Sequence, residues 1–251
     1  MIFHKFKKNY KFYFLLKITV KINLNMKSKI LLWCFFIVAI AELYGEVTEN
    51  ITIIYIAKPL LMITLSTYFF RSTIQDKSRF SLFILLGLIF SIGGDSFLMF
   101  DGSLYFMLGL GCFLITHVFY VIAFMTYQPL QNGFIQQRLW FILPFLIYLV
   151  VMLSFLWNDL DDMKIPVIVY SSVICIMAIT ALNMKSRLPQ NLFIVLFSGV
   201  LLFMFSDSVI ALNKFKAETF TIPYHHIIIM TTYITAQYLI AKSAITINQS
   251  L

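Results

Sequence analysis

The sequence predicts an all-α, polytopic membrane helix bundle of about eight transmembrane helices. Of its 251 residues, 61% are hydrophobic and only 12% are charged, and the mean hydropathy is +0.89. A soluble globular domain carries roughly twice that share of charge. Eight apolar stretches are long enough, at ~1.5 Å per residue, to cross or nearly cross a hydrocarbon layer ~30 Å thick. No hydrophilic stretch between them exceeds about a dozen residues, too few for a soluble domain.

The first stretch, 30–44, follows the lysines of Met26-Lys27-Ser28-Lys29 and is the shortest. The second, 51–70, begins after Glu49-Asn50 and carries Lys58-Pro59; the third, 80–100, runs from Arg79 to Asp101. The fourth covers 103–127, the fifth runs over 139–157 after Arg138, and the sixth over 165–183 with Pro166 in its first turn, where proline is tolerated. The seventh, 191–212, and the eighth, 223–242, end near Lys214 and at Lys242. Cys34, Cys112 and Cys175 fall within these stretches with no ligand spacing, and read as small interior residues.

Two segments sit uneasily in this pattern. Residues 1–25 form a basic extension with Lys5, Lys7, Lys8, Lys11, Lys17 and Lys21, which reads either as a basic interfacial helix or as untranslated sequence preceding a start at Met26. Residues 26–251 then form a single transmembrane domain. The run from Lys27 to Ala41 also imitates a signal peptide. Retention of the first helix is the expectation, because the seven later spans keep the same orientation either way.

The formal net charge of +8 does not point to nucleic acid, because the bases sort by side. Arg71, Lys77, Arg79, Arg138, Lys185, Arg187, Lys242 and the eight lysines before residue 30 lie on one side; only Lys164, Lys214 and Lys216 lie on the other, among Glu46, Glu49, Asp101, Asp159, Asp161, Asp162 and Glu218. This asymmetry predicts both termini in the cytoplasm, and the expected setting is a bacterial inner (plasma) membrane.

Within the apolar runs, two helices carry an Asp-Ser pair: Gly93-Gly94-Asp95-Ser96 and Phe205-Ser206-Asp207-Ser208. A carboxyl at the centre of a spanning helix costs roughly 2.5–3.5 kcal/mol on insertion scales and marks a polar cavity, ion path or active site. Asp95 lies sixteen residues after Arg79 and Asp207 sixteen after Asn191, so both stand ~24 Å from the cytoplasmic end. Lys58, ~10 Å from the opposite end, reaches a similar level. An amine beside two carboxyls would hold them in complementary protonation states, as an acid and a base require.

Further polar groups lie on the inward-running helices: Thr116, His117 and Tyr120 on the fourth, Tyr170 and Ser171 on the sixth, Tyr233 and Gln237 on the eighth. His117 with Tyr120, and Tyr233 with Gln237, share a helix face. For His117 and Gln237 the plainer expectation is interhelical hydrogen-bond glue, as close packing is for Gly87, Gly93, Gly94, Gly109 and Gly111. His225 and His226 stand at a helix mouth without a third ligand, so no metal is expected. Lys58-Pro59, Asp95-Ser96 and Thr116-His117 recur loosely as Ile165-Pro166, Asp207-Ser208 and Ala236-Gln237, which suggests a parallel 4+4 repeat.

At Lys58-Pro59-Leu60, Gly94-Asp95, His117 with Tyr120, Phe205-Ser206-Asp207-Ser208 and Tyr233 with Ala236-Gln237, the chain resembles the YhhN-like family of eight-helix membrane proteins, which includes the animal lysoplasmalogenases. The resemblance covers about residues 26–242. It implies hydrolysis of the vinyl-ether bond of a lysoplasmalogen to a fatty aldehyde and a glycerophospho-base, with Asp95 and Asp207 catalytic. On that reading Lys58, His117, Tyr120, Tyr170, Ser206, Ser208, Tyr233 and Gln237 bind or orient the lipid and water, and no cofactor is required. The alternative is a proton- or ion-coupled carrier of a small solute using the same Asp pair.

Overall fold

The computed structural model describes residues 28–75, 78–217 and 219–250. The basic segment 1–25, the start at Met26, and Lys77 and Glu218 of the charge pattern lie outside them. Eight long helices run through the described residues: α1 Ser28–Thr48, α2 Ile51–Thr73, α3 Arg79–Leu98, α4 Ser103–Tyr127, α5 Leu143–Leu156, α6 Lys164–Asn183, α7 Gln190–Lys216 and α8 His225–Ser250. α5 is extended at both ends by single 3₁₀ turns, Leu139–Ile142 and Trp157–Asp159.

The spans that contain α1 to α7 are long and apolar enough to cross a membrane. α8 has the length, with 26 residues, but is less apolar than the other seven, because it begins at His225-His226 and carries Thr231, Thr232, Tyr233, Thr235 and Gln237. The chain is thus an all-α membrane bundle with seven strongly apolar helices and a more polar eighth. Large apolar side chains such as Trp33, Ile37, Val150 and Ile165 remain exposed on its periphery, the surface that lipid covers.

Consecutive helices run antiparallel. α1 ends in a left-handed residue, Glu49 (φ 53°), and the Asn50 N–H donates back to the Gly45 carbonyl at 2.9 Å, the hydrogen bond that closes a Schellman cap. The Asn50 side chain then caps α2 by accepting from the Ile53 N–H at 3.2 Å. This reversal, without a flexible linker, lays the last two turns of α1 against the first two of α2. The first helix is longer than the expected 30–44: it reaches Thr48 and carries Glu46 within it. α7 and α8 also continue beyond their expected ends at 212 and 242, to Lys216 and Ser250. Lys214 and Lys216 suit the last turn of α7, where the carbonyl ends of the helix favour positive charge.

Among α2 to α8 the closest packing is within the α3–α4 and α7–α8 pairs. A Cβ on Gly94 would stand 2.7 Å from the Phe113 ring and one on Gly109 2.7 Å from Leu98, so these positions require glycine for the two helices to approach. Helices dissolved in lipid associate through such van der Waals fit and through hydrogen bonds rather than by hiding from water. Gly111 faces open space and has no such role. The main interior cluster fully encloses Leu61, Leu65, Ile84, Leu88, Phe124, Phe203 and Ile240, and a second, smaller one gathers Leu156, Leu160 and Val167.

Candidate active site

Asp95 and Asp207, one from α3 and one from α7, line the same cavity of ≈ 440 Å³. It lies toward the end of the bundle that carries the α1–α2, α3–α4 and α7–α8 turns, and Asp101, Gly102, Lys214, His225 and His226 also contribute to its wall. The equal depth of the two acids, read from the helical rise, thus becomes a shared space.

Each acid is held by a tyrosine from another helix. The Tyr233 hydroxyl of α8 donates to Asp95 Oδ2 at 2.9 Å, and the Tyr170 hydroxyl of α6 donates to Asp207 Oδ2 at 2.5 Å. His117 Nε2 of α4 stands 3.4 Å from the same Asp207 oxygen; its ring meets Tyr170 and Phe203 edge-on, with centroids at 5.3 and 4.7 Å. Phe113, Phe203 and Tyr233 pack edge to face at centroid separations of 5.5 to 6.2 Å.

Behind Tyr233 lies Gln237, fully buried one helical turn further along α8. Its Nε2 donates to Ser91 Oγ at 2.9 Å and to the Tyr233 hydroxyl oxygen at 3.4 Å, while its Oε1 accepts from the Tyr120 hydroxyl at 2.6 Å. Thr116 ties into the same network, 3.2 Å from Ser91 and donating to the Gly87 carbonyl. Tyr120 lies over Gly87, whose missing side chain leaves room for the ring. Tyr120 and Gln237 therefore stand behind the cavity wall and join α3, α4 and α8 by hydrogen bonds, the interhelical role expected of Gln237; His117 instead meets Asp207 at 3.4 Å.

Lys58 does line the cavity, but its nearest partners differ from those expected. Its Nζ is 3.0 Å from Glu46 Oε1 and 3.5 Å from Glu42 Oε1, both on α1. Glu42 is completely enclosed and Glu46 nearly so. The picture of an amine set directly between the two aspartates is corrected accordingly: Lys58 is first neutralised by α1. Sequence reasoning placed Glu46 in a connection. The signal that could have found the pair is the i, i+4 spacing of Glu42 and Glu46, which puts both on one face.

The serines divide. Ser206 lines the cavity, and its hydroxyl donates to the Ile229 carbonyl at 3.1 Å, joining α7 to α8. Ser208 donates to the Met204 carbonyl at 2.6 Å and meets the Tyr148 hydroxyl of α5 at 2.5 Å. Tyr148 went unnoticed in the sequence, where one tyrosine in an apolar run carries no signal. His225 and His226, with ring centroids 3.8 Å apart, stand at the cavity mouth.

A second, smaller cavity of ≈ 50 Å³ adjoins the first and is walled by Leu110, Met152, Leu156, Val167, Ala211 and Phe215 among others. The two share Leu98, Phe106, Phe113, Asp207 and Ile210. Asp207 borders both spaces; Asp95 borders only the larger, more polar one.

The sequence model of the YhhN family matches residues 53–244. Human lysoplasmalogenase TMEM86A is 36% identical over 166 residues, 64% of this chain and 65% of the relative. The bovine protein of the same name is 37% identical over 167 residues with the same coverage, and human lysoplasmalogenase TMEM86B is 34% identical over 164 residues, 63% of this chain and 61% of the relative. The chain thus spans just under two thirds of the length of these relatives. No solved structure matches.

Proposed function

Because the chain belongs to the YhhN family, and because α3 and α7 bring two carboxyls to the wall of one cavity, we propose that it is a membrane-embedded hydrolase acting on the vinyl-ether bond of lysoplasmalogens or closely related single-chain lipids. The products are a fatty aldehyde and a glycerophospho-base. The relatives named lysoplasmalogenase support the substrate class, and the single observation that carries the site is the shared cavity.

The chemistry asks for what the site holds. A vinyl ether is broken when an acid protonates its enol carbon, which leaves an oxocarbenium-like centre at the carbon bonded to oxygen. Water adds there to give a hemiacetal, whose collapse breaks the bond to the glycerol oxygen. One carboxyl gives a proton while the other takes one, and both are restored at the end. Tyr233 and Tyr170 fix the two carboxyls for this work, and holding reactants in the reacting geometry is itself a large part of catalysis. Lys214, His225 and His226 on the same wall give a phosphate-bearing head group complementary partners. With the lysine-rich side in the cytoplasm, the cavity mouth opens toward the opposite face.

The test is aldehyde release from an alkenyl lysophospholipid by the protein reconstituted in vesicles. Wild type releases aldehyde, while Asp95→Asn and Asp207→Asn, correctly inserted, each lose roughly 10²-fold or more, the range for removing a general acid or base. Full activity in both variants, or solute or proton flux without bond cleavage by wild type, overturns the proposal. The carrier alternative has no counterpart among the relatives above, which are named for a lipid hydrolase.

A further inference from the structure

We infer that the two aspartates have separate tasks, assigned by the two-lobed shape of the cavity: Asp207 delivers the proton to carbon, and Asp95 handles water and the glycerol oxygen. The assignment rests on the vinyl-ether reading above and adds the direction in which the lipid lies.

A lysoplasmalogen is polar at one end and hydrocarbon at the other, with the reacting C1=C2 unit at the border: O–C1 faces the glycerol and C2 belongs to the chain. The cavity has the same division. Its larger lobe is bordered by Lys58, Asp101, Asn213, Lys214, His225 and His226; its smaller lobe is walled mainly by apolar side chains such as Leu110, Met152, Leu156, Val167 and Phe215, with hydroxyls only from Tyr148, Tyr170, Ser171 and Ser208. Chemical complementarity allows one orientation, with head group and glycerol in the polar lobe and the first carbons of the chain in the apolar lobe. C2, the atom to be protonated, then sits at the junction. Asp207 is the acid that borders both lobes. Asp95, confined to the polar lobe, faces the C1–O side, where water arrives and the leaving oxygen departs.

The surroundings of each acid suit its task. Asp207 carries its proton beside the Tyr170 hydroxyl of α6 and His117 of α4, and Ser208, the next residue of α7, meets Tyr148 of α5. His117 Nε2, at 3.4 Å, is the group placed to exchange that proton. Asp95 shares its lobe with Lys58.

The steps balance. The C1=C2 electron pair takes the Asp207 proton to form C2–H, and an oxygen lone pair completes the C1=O⁺ bond. Water attacks C1 and gives one proton to Asp95. The hemiacetal then collapses: its hydroxyl proton returns to Asp207, its electrons form the aldehyde C=O, the bond from C1 to the glycerol oxygen breaks, and Asp95 returns its proton to that oxygen.

Deuterium uptake distinguishes the tasks. In D₂O, with an alkenyl glycerophosphocholine and the full chain in vesicles, the Asp95→Asn variant still protonates C2 but traps the cation poorly. Protonation then reverses, and unreacted lipid gains deuterium at C2 while aldehyde release falls roughly 10²-fold or more. Asp207→Asn shows neither exchange nor release. Exchange in Asp207→Asn, or in neither variant, overturns the assignment. A second variant tests the lipid's direction without touching either acid: Ala211→Phe, which fills the apolar lobe, lowers kcat/KM for long-chain substrates at least ~10-fold more than for a short-chain enol ether, a difference within reach of a few methylenes in an apolar pocket. An equal loss for both chain lengths overturns the orientation. Failure of wild type to release any aldehyde removes the vinyl-ether reading itself, a result distinct from either of these.

Discussion

The hydroxyl of Tyr233 donates to Asp95 Oδ2 across 2.9 Å, joining α8 to α3 at a distance of 138 residues along the chain. Tyr233→Phe keeps the ring in its aromatic cluster and removes this bond together with the longer one, 3.4 Å, that the hydroxyl accepts from Gln237. A buried acceptor left unmet costs ~1–3 kcal/mol, so the variant should unfold at lower denaturant and its kcat should fall by ~10-fold or more, with KM much less affected because the loss is one of positioning. Steady-state aldehyde release together with denaturant titration in micelles checks both. Unchanged kcat would show that Asp95 needs no partner.

Gln237 makes three hydrogen bonds, joining Ser91, Tyr233 and Tyr120 around one amide. Hydrogen bonds between membrane helices are worth ~0.6–2 kcal/mol each, and Gln237→Leu removes several at once. The expected result is ~1–3 kcal/mol of lost stability with a fall in kcat smaller than that of Asp95→Asn. Gln237→Glu, which can keep accepting from Tyr120, should retain more of both. The comparison of the two variants by thermal unfolding and activity is the check.

Gly94 sits next to Asp95 in sequence and under the Phe113 ring in space. Gly94→Ala must push apart α3 and α4 or displace a ring already packed against Phe203 and Tyr233. Overpacking of this kind costs ~1–3 kcal/mol, and here it also moves a catalytic candidate. Gly111→Ala, where a Cβ meets nothing within 4 Å, should leave stability and activity near wild type. Equal effects of the two substitutions would contradict the packing described.

Lys58 is the counter-charge for two glutamates buried in α1. Removing one partner of a buried ion cluster strands the others at a cost of ~3–5 kcal/mol. Lys58→Met alone should therefore insert or fold poorly, while the triple substitution Lys58→Met, Glu42→Gln and Glu46→Gln recovers most of the lost stability. Yield of folded protein and resistance to denaturant measure this. A triple variant as unstable as the single one would mean that Lys58 acts through something other than these carboxylates.

Much of the candidate site was legible along the chain axis. The depth of Asp95 and Asp207 follows from counting residues at a fixed rise, and the shared faces of His117 with Tyr120 and of Tyr233 with Gln237 follow from helical spacing. The partner of Lys58 was not legible. A charge at the end of an apolar run marks a loop by composition alone, yet the ion pair between Glu46 and Lys58 lets α1 run on to Thr48. Tyr148 was invisible for another reason: its value lies only in meeting Ser208 of α7.

The sequence by itself determined that this is a helical membrane protein and that two carboxyls stand at one level of it, because run length against membrane thickness and the cost of charge in lipid are properties of the chain alone. Which way each helix is turned, and so which tyrosine holds which acid and how the cavity divides into a polar and an apolar lobe, was decided only by tertiary packing. The physical reason is that lipid and protein interior are equally apolar. A helix between them shows no hydrophobic stripe to mark its inner face, and its rotation is fixed by close fits such as Gly94 against Phe113 and by hydrogen bonds such as Tyr170 to Asp207.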